Sequence, residues 1–186
     1  MNYKRLMKHY KVDMLDALQR FLAIPSIYDE STKSKEMPFG KGVDDALKYF
    51  ASLGKRYGFD VDYCDGYATE LTVGKGDKLI GIFAHADVVP VTGEWKYGPF
   101  EPTVENVNIY ARGSSDDKGP LIAAFYAVKA LHDNGFLKNY RVRIVCGGDE
   151  ERGSGCLLHY FEEMKKEAQT YGFTPDSDFT LIYGEK

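Results

Sequence analysis

The stretch RVRIVCGGDEERGSG, residues 141–155, runs from an apolar segment straight into three consecutive carboxylates. Residues 141–146, with Val142, Ile144, Val145 and Cys146, have the composition of a strand that a sheet buries. Asp149, Glu150 and Glu151 follow almost at once. Like charges this close repel, and carboxylates beside an apolar core are costly to desolvate. Either they are solvated at a helix start, where negative charge suits the macrodipole, or a positive group offsets them. Taken alone, the solvated turn is the plainer reading.

Working outward, the same pattern recurs. Residues 79–84 form a second apolar run, which ends in FAHAD, residues 83–87. Period-two runs at 61–64 and 70–73 read as further strands, with GKGDK, residues 74–78, as a turn, and residues 179–183 as the last strand. Met14, Leu15, Leu18, Phe21 and Leu22 recur at helical spacing, so a helix is predicted over residues 12–22, stopped by Pro25. Val43, Ala46, Leu47, Phe50 and Leu53 predict a second helix, closed by Gly58. Leu121, Ala124, Phe125, Val128 and Leu131 predict a third, with Gly119-Pro120 at its start and Asn134-Gly135 at its end. A fourth is predicted over residues 154–168. Residues 28–41 and 95–108 read as irregular. Strands alternating with helices of crossover length predict an α/β fold, a mixed sheet with helices on both faces.

The 186 residues suit one domain, and a hydrophobic fraction of 44% can fill a core. A net charge of -4 with no basic cluster argues against nucleic-acid or anionic-membrane partners. No run approaches the roughly 18 apolar residues that span a bilayer. The three cysteines follow no CxxC spacing and read as reduced thiols, which with the lack of a signal-peptide pattern predicts a cytoplasmic protein.

Three polar clusters sit at the ends of apolar runs or ahead of a helix, where α/β sheets place ligands. His85 and Asp87 are two apart, so in extended chain both side chains share one side, and a carboxylate there can hold an imidazole's tautomer for metal binding. A strand-end histidine with a capping aspartate is an equal alternative. In SSDDKGP, residues 114–120, one aspartate suffices to cap the helix. Capping is the reading kept for Asp117 and doubted for Asp116. One histidine among several carboxylates is oxygen-rich ligation, suited to zinc, manganese or cobalt in a two-metal hydrolase rather than to a closed structural zinc site. One glutamate of the triplet then binds metal and another takes a proton from water. His9, His132 and His159 lie among ordinary surface residues and are weak ligand candidates. A magnesium phosphoryl-transfer site also uses carboxylates at strand ends, but no GxxxxGKS loop is present.

The segments HADVVPVTGEWKYGPF, YARGSSDDKGP, GGDEERGS and FTPDSDF with the closing GEK, in this order, resemble the co-catalytic zinc peptidases. That family includes cytosolic dipeptidases, carnosinase, carboxypeptidase G, aminoacylase, acetylornithine deacetylase and succinyl-diaminopimelate desuccinylase. The likeness is strongest to the PepV-type bacterial dipeptidases and spans nearly the whole chain. It implies that His85 binds one metal and Asp87 orients it. It implies further that Asp116 bridges two metals, with a cis peptide at Asp116-Asp117. Glu150 is then the general base, Glu151 a ligand of the second metal, and Asp176 a ligand of the first. Asp178 is the less favoured alternative to Asp176.

The implied cofactors are two Zn2+, with Mn2+ or Co2+ as alternatives, and the implied reaction is metal-assisted hydrolysis of an amide bond in a dipeptide or small N-acyl amino acid. In the family the chain continues beyond GEK into a lid domain and returns with the last ligand, a histidine. On that resemblance residues 1–186 are the N-terminal part of a catalytic domain without its lid. Metal occupancy is then reduced, the fragment alone is inactive, and self-association is expected through its open face. A non-catalytic remnant that binds metal or a partner is the competing expectation, as is a related deacylase acting on acyl-amino acids.

Overall fold

A computed structural model describes residues 2–176. The strand predicted over residues 179–183, Asp178 and the closing GEK lie outside the described residues.

Two parallel strands form the centre. β1 (Asp60–Asp62) and β2 (Ala68–Gly74) precede β3 (Lys78–His85), and β4 (Thr103–Glu105) and β5 (Asn108–Tyr110) form a separate hairpin. β6 (Tyr140–Gly147) pairs in parallel with β3, from Lys78 opposite Tyr140 to His85 opposite Gly147. β2 lies antiparallel on the other side of β6, and a short β7 (Tyr171–Phe173) runs parallel to β3. The order β1-β2-β6-β3-β7 is therefore a mixed sheet. The register sets His85 beside the glycines that lead to Asp149, so both polar clusters leave the sheet at one end.

The described residues hold five α-helices: α1 (Tyr3–Met7), α2 (Lys11–Leu22), α3 (Lys41–Arg56), α4 (Lys118–Asp133) and α5 (Gly155–Leu158). Side chains of β6 alternate between two covered faces, which explains its nearly unbroken burial. Val142, Ile144 and Cys146 pack with Phe21 of α2, Leu47 and Phe50 of α3, and Leu121 and Phe125 of α4. Val145 faces the other way, onto Ala68, Cys64 and Tyr160, with Phe83 and Leu157 alongside. Helices thus cover both faces. All three cysteines are buried free thiols. No described helix is long and apolar enough to cross a membrane.

Two expectations are corrected. The helix predicted over residues 154–168 is shorter: α5 widens into a single π turn, His159–Glu163, and Lys165 turns left-handed at φ 52°. Ion pairs draw the chain off the helix axis. Lys166 reaches Asp62 at 2.6 Å, and Glu167 is held by Arg141 at 2.9 Å. Buried Arg143 also donates to the Glu167 carbonyl at 2.6 Å. The irregular segment at 95–108 contains β4 and leads into β5. Their turn places Asn106 (φ 50°) and Val107 (φ 67°) in the left-handed region, the requirement of a type I′ hairpin, without the Asn-Gly pair that usually signals one.

Candidate metal centre

β3 delivers His85 to the carboxyl end of the sheet, where the ring is 1% exposed. The next residues leave the strand but stay fixed. Ala86 N–H donates to the Gly147 carbonyl at 2.8 Å, Ser26 Oγ donates to the Ala86 carbonyl at 2.5 Å, and Val88 N–H donates to Ser26 O at 3.1 Å. His85 and Asp87 are thereby held on one side of an extended segment.

The ring nitrogens are differentiated. Nδ1 is 3.0 Å from the Asp87 carbonyl and 3.3 Å from its carboxylate. The aligned hydrogen bond is with the carbonyl, which makes Nδ1 the donor and leaves Nε2 for the site. Around Nε2 stand Asp116 Oδ1 at 3.1 Å, Asp176 Oδ2 at 3.6 Å and Glu150 Oε2 at 3.8 Å. One ligand atom each from His85, Asp116 and Asp176 lie within 4.8 Å of one another.

Asp87 does more than flank the ring. Its Oδ1 accepts the backbone N–H of Glu150 and its Oδ2 that of Glu151, each at 3.1 Å. One buried carboxylate thus holds both the histidine strand and the acidic turn. Asp149 closes that turn: its Oδ2 accepts from Gly155 N–H at 3.2 Å and its carbonyl from Ser154 N–H at 2.7 Å. The three carboxylates at the end of β6 therefore divide. The first is a turn lock, and the next two project from a backbone pinned by Asp87. Gly148, where the turn begins, has no room for a side chain, because a Cβ there would stand 2.9 Å from Phe39 and Val43.

Asp116 and Asp117 are joined by a cis peptide bond and point to different tasks. Asp116 is exposed to the site. Asp117 is fully buried and makes no capping bond to α4, contrary to the capping expected of it. Its Oδ2 accepts the backbone N–H of His85 at 3.1 Å, and its Oδ1 has no partner among the described residues. Lys118, also buried, donates to the Phe21 and Ile24 carbonyls at 3.2 and 2.7 Å and so fastens α4 to the end of α2. Gly119 allows the tight approach that follows, since a Cβ there would sit 2.0 Å from the Ser114 carbonyl oxygen.

The electrostatics are those of an acidic cage around one imidazole. Burial alone would lower the His85 pKa, but the hydrogen bond and charge of Asp87, with Asp117 and Asp176, overcome it and raise it to about 10. Burial pushes Asp117 up to about 7, against the pull of His85. Burial and neighbouring carboxylates also raise Glu150, Glu151 and Asp176, again against His85. Such concentrated repulsion is relieved by a cation.

The donor set fits zinc. Ligand atoms about 2.0–2.1 Å from a tetrahedral zinc lie about 3.3 Å apart, and the 3.1 and 3.6 Å separations from Nε2 bracket that spacing. Glu151 is outside the close group formed by His85, Asp116 and Asp176. Sequence reasoning missed Ser26, whose role depends on a contact 60 residues away, and the partners of Asp117.

This α/β arrangement gathers a histidine and carboxylates at the sheet's carboxyl end, a donor set that could hold a metal ion. The sequence profile described as peptidase family M20/M25/M40 matches residues 81–186, and the chain belongs to that family. It is 42% identical to "Putative dipeptidase YtjP" of Bacillus subtilis, over 100% of this chain and 40% of that protein. Among solved structures, a metallo-carboxypeptidase of the M20 family from Sulfolobus solfataricus superposes with a TM-score of 0.73 at 32% identity, covering 87% of this chain and 37% of that one. Human carnosine dipeptidase 1 shares the fold, with a TM-score of 0.75 at 19% identity, covering 94% of this chain and 41% of its own. The chain spans about two fifths of the length of the curated relatives it matches.

Proposed function

We propose that residues 1–186 form the N-terminal, metal-holding part of the catalytic domain of a co-catalytic zinc dipeptidase. The observation that carries this reading is the convergence of Asp116, Asp176 and Glu150 within 3.1–3.8 Å of His85 Nε2, with Asp87 behind both the ring and the acidic turn. His85, Asp116 and Asp176 would hold the first ion, and Asp116 with Glu151 would begin the site of a second. Zinc, when bound, supplies Lewis acidity toward the scissile carbonyl and makes water more acidic.

The chain's own residues do the rest. Asp87 anchors Nδ1–H of His85, which aims Nε2 at the site, and it fixes the backbone from which Glu150 projects. Glu150 takes a proton from the attacking water and returns it to the leaving amine. A carboxyl raised by burial is better suited to both halves of that exchange. The substrate class is dipeptides, as the name of the Bacillus relative suggests. Buried free thiols support a cytoplasmic location. The outer edge of β7, with Tyr171 61% and Phe173 49% exposed, supports self-association.

The test pairs zinc stoichiometry with dipeptide hydrolysis for the 186-residue chain and its Glu150→Gln variant. Glu150→Gln should bind zinc as the parent does, and any turnover the parent shows should fall by about 10²-fold or more. A variant that turns over at the parental rate would refute the role of Glu150. A parent that binds zinc without turnover would mark this chain as a metal-holding part rather than a complete site.

A further inference from the structure

A cavity of about 840 Å³ is lined by Tyr67, whose carbonyl accepts the Gly148 N–H at 3.1 Å. It shares no residue with the centre. Its floor is aromatic: the Tyr67 ring lies edge-on to Phe39, with centroids 5.3 Å apart. The Tyr67 ring also stacks on His159 at 3.8 Å with only 12° between the planes. His159 Nε2 is tied to Asp65 at 3.1 Å, which fixes the imidazole in that stack. Cys64 and Asp65 hold the left-handed backbone (φ 46° and 54°) that brings the Asp65 carboxylate to the imidazole.

The rim carries both signs of charge. Lys35 and Glu36 border the cavity; neither makes an ion pair among the described residues, and Glu36 Oε2 accepts from Ser34 Oγ at 3.1 Å. Lys33 adds a second ammonium, which donates to the Tyr28 hydroxyl at 3.3 Å and stands 3.7 Å from Glu30. An aromatic corner, an unpaired ammonium and a carboxylate complement a ligand with a ring, a carboxylate and an ammonium. A volume in the range of small-molecule sites leaves room for it. Nothing in the metal chemistry uses these groups.

We propose that this cavity is a second binding pocket, for a free aromatic α-amino acid in its zwitterionic form. The ring packs in the corner between Tyr67 and Phe39, the carboxylate faces Lys33 and Lys35, and the ammonium faces Glu36. Amino acids are also products of the reaction proposed above, but the pocket does not depend on that reading.

The experiment is a titration of the metal-free 186-residue chain with L-phenylalanine, followed by amide chemical shifts. Two half-charged analogues, 2-phenylethylamine and 3-phenylpropanoate, are titrated alongside. Saturable shifts are expected at Phe39, Tyr67 and His159, with each analogue bound about tenfold more weakly for its missing charged contact. Tyr67→Ala should lose about tenfold for the missing ring contact. Lys35→Glu, at an exposed position that leaves packing untouched, should weaken L-phenylalanine by a similar factor and leave 2-phenylethylamine no weaker. The proposal is overturned by an absence of saturable shifts, by analogues that bind as well as the amino acid, by binding insensitive to Lys35→Glu, or by shifts centred on His85. Zinc binding at the metal centre is a separate measurement, so failure of one leaves the other standing.

Discussion

The pKa of His85 makes metal binding a proton-exchange reaction. In the metal-free chain the imidazole is held at about 10, because Asp87, Asp117 and Asp176 outweigh its burial. At pH 7 only about one molecule in 10³ then offers a neutral ring, and each unit of separation corresponds to about 1.4 kcal/mol. Zinc must displace that proton, at an apparent cost of about 4 kcal/mol in affinity at neutral pH. The binding constant should rise about tenfold per pH unit, or about 100-fold between pH 6 and 8. Asp117, raised to about 7 by burial, steepens the dependence at the acid end. Calorimetry at pH 7.5 in buffers of different ionisation enthalpy counts the protons directly, and about one per zinc is expected. Asp87→Asn removes the carboxylate charge that raises the ring, so proton release should fall even as affinity suffers from the loosened turn. A parent chain that binds zinc with no proton release, and with equal affinity at pH 6 and 8, would refute this account of the site.

Stability should follow the same groups. The folded-state pKa of His85 lies above its unfolded value, so its contribution is complete below about pH 6.5 and is lost as pH rises through about 10. Asp117, raised to about 7, loses its contribution between about pH 4 and 7. The metal-free Tm should therefore fall from pH 5 to 8, whereas zinc should raise Tm most at pH 8; a metal-free Tm that climbs over this range contradicts the assignment. Gly119→Ala places a methyl 2.0 Å from the Ser114 carbonyl oxygen, and urea unfolding should show a loss of about 3 kcal/mol, with unchanged midpoints counting against the close approach. Ser26→Ala removes the bond to Ala86 and should lower stability by about 1 kcal/mol and weaken zinc binding, as measured by denaturation and metal titration. If zinc affinity is untouched, Ser26 is structural only.

Several features were legible because they are local. Apolar alternation marks β3 and β6, and 3.6-residue spacing marks α2, α3 and α4, since burial of one face writes its period into adjacent residues. Polar clusters at strand ends could be read for the same reason. The β4-β5 hairpin was not legible, because Asn106 and Val107 adopt positive φ without the glycine that advertises it. Nor was the early end of the α5 segment, which follows from Lys166 and Glu167 pairing with Asp62 and Arg141, far away in sequence.

The division at the metal centre has the same origin. The sequence by itself determined which residue types stand at which strand ends, and with them the class of chemistry. Only the tertiary structure decided how the carboxylates divide their work. Asp149 locks a turn, Asp87 grips the backbone of Glu150 and Glu151, and Asp117 leaves the helix it precedes for the backbone of His85. A carboxylate has the same composition whether it caps, braces or ligates. What it does depends on which donors the parallel register of β3 and β6 brings within about 3 Å, the range of a hydrogen bond.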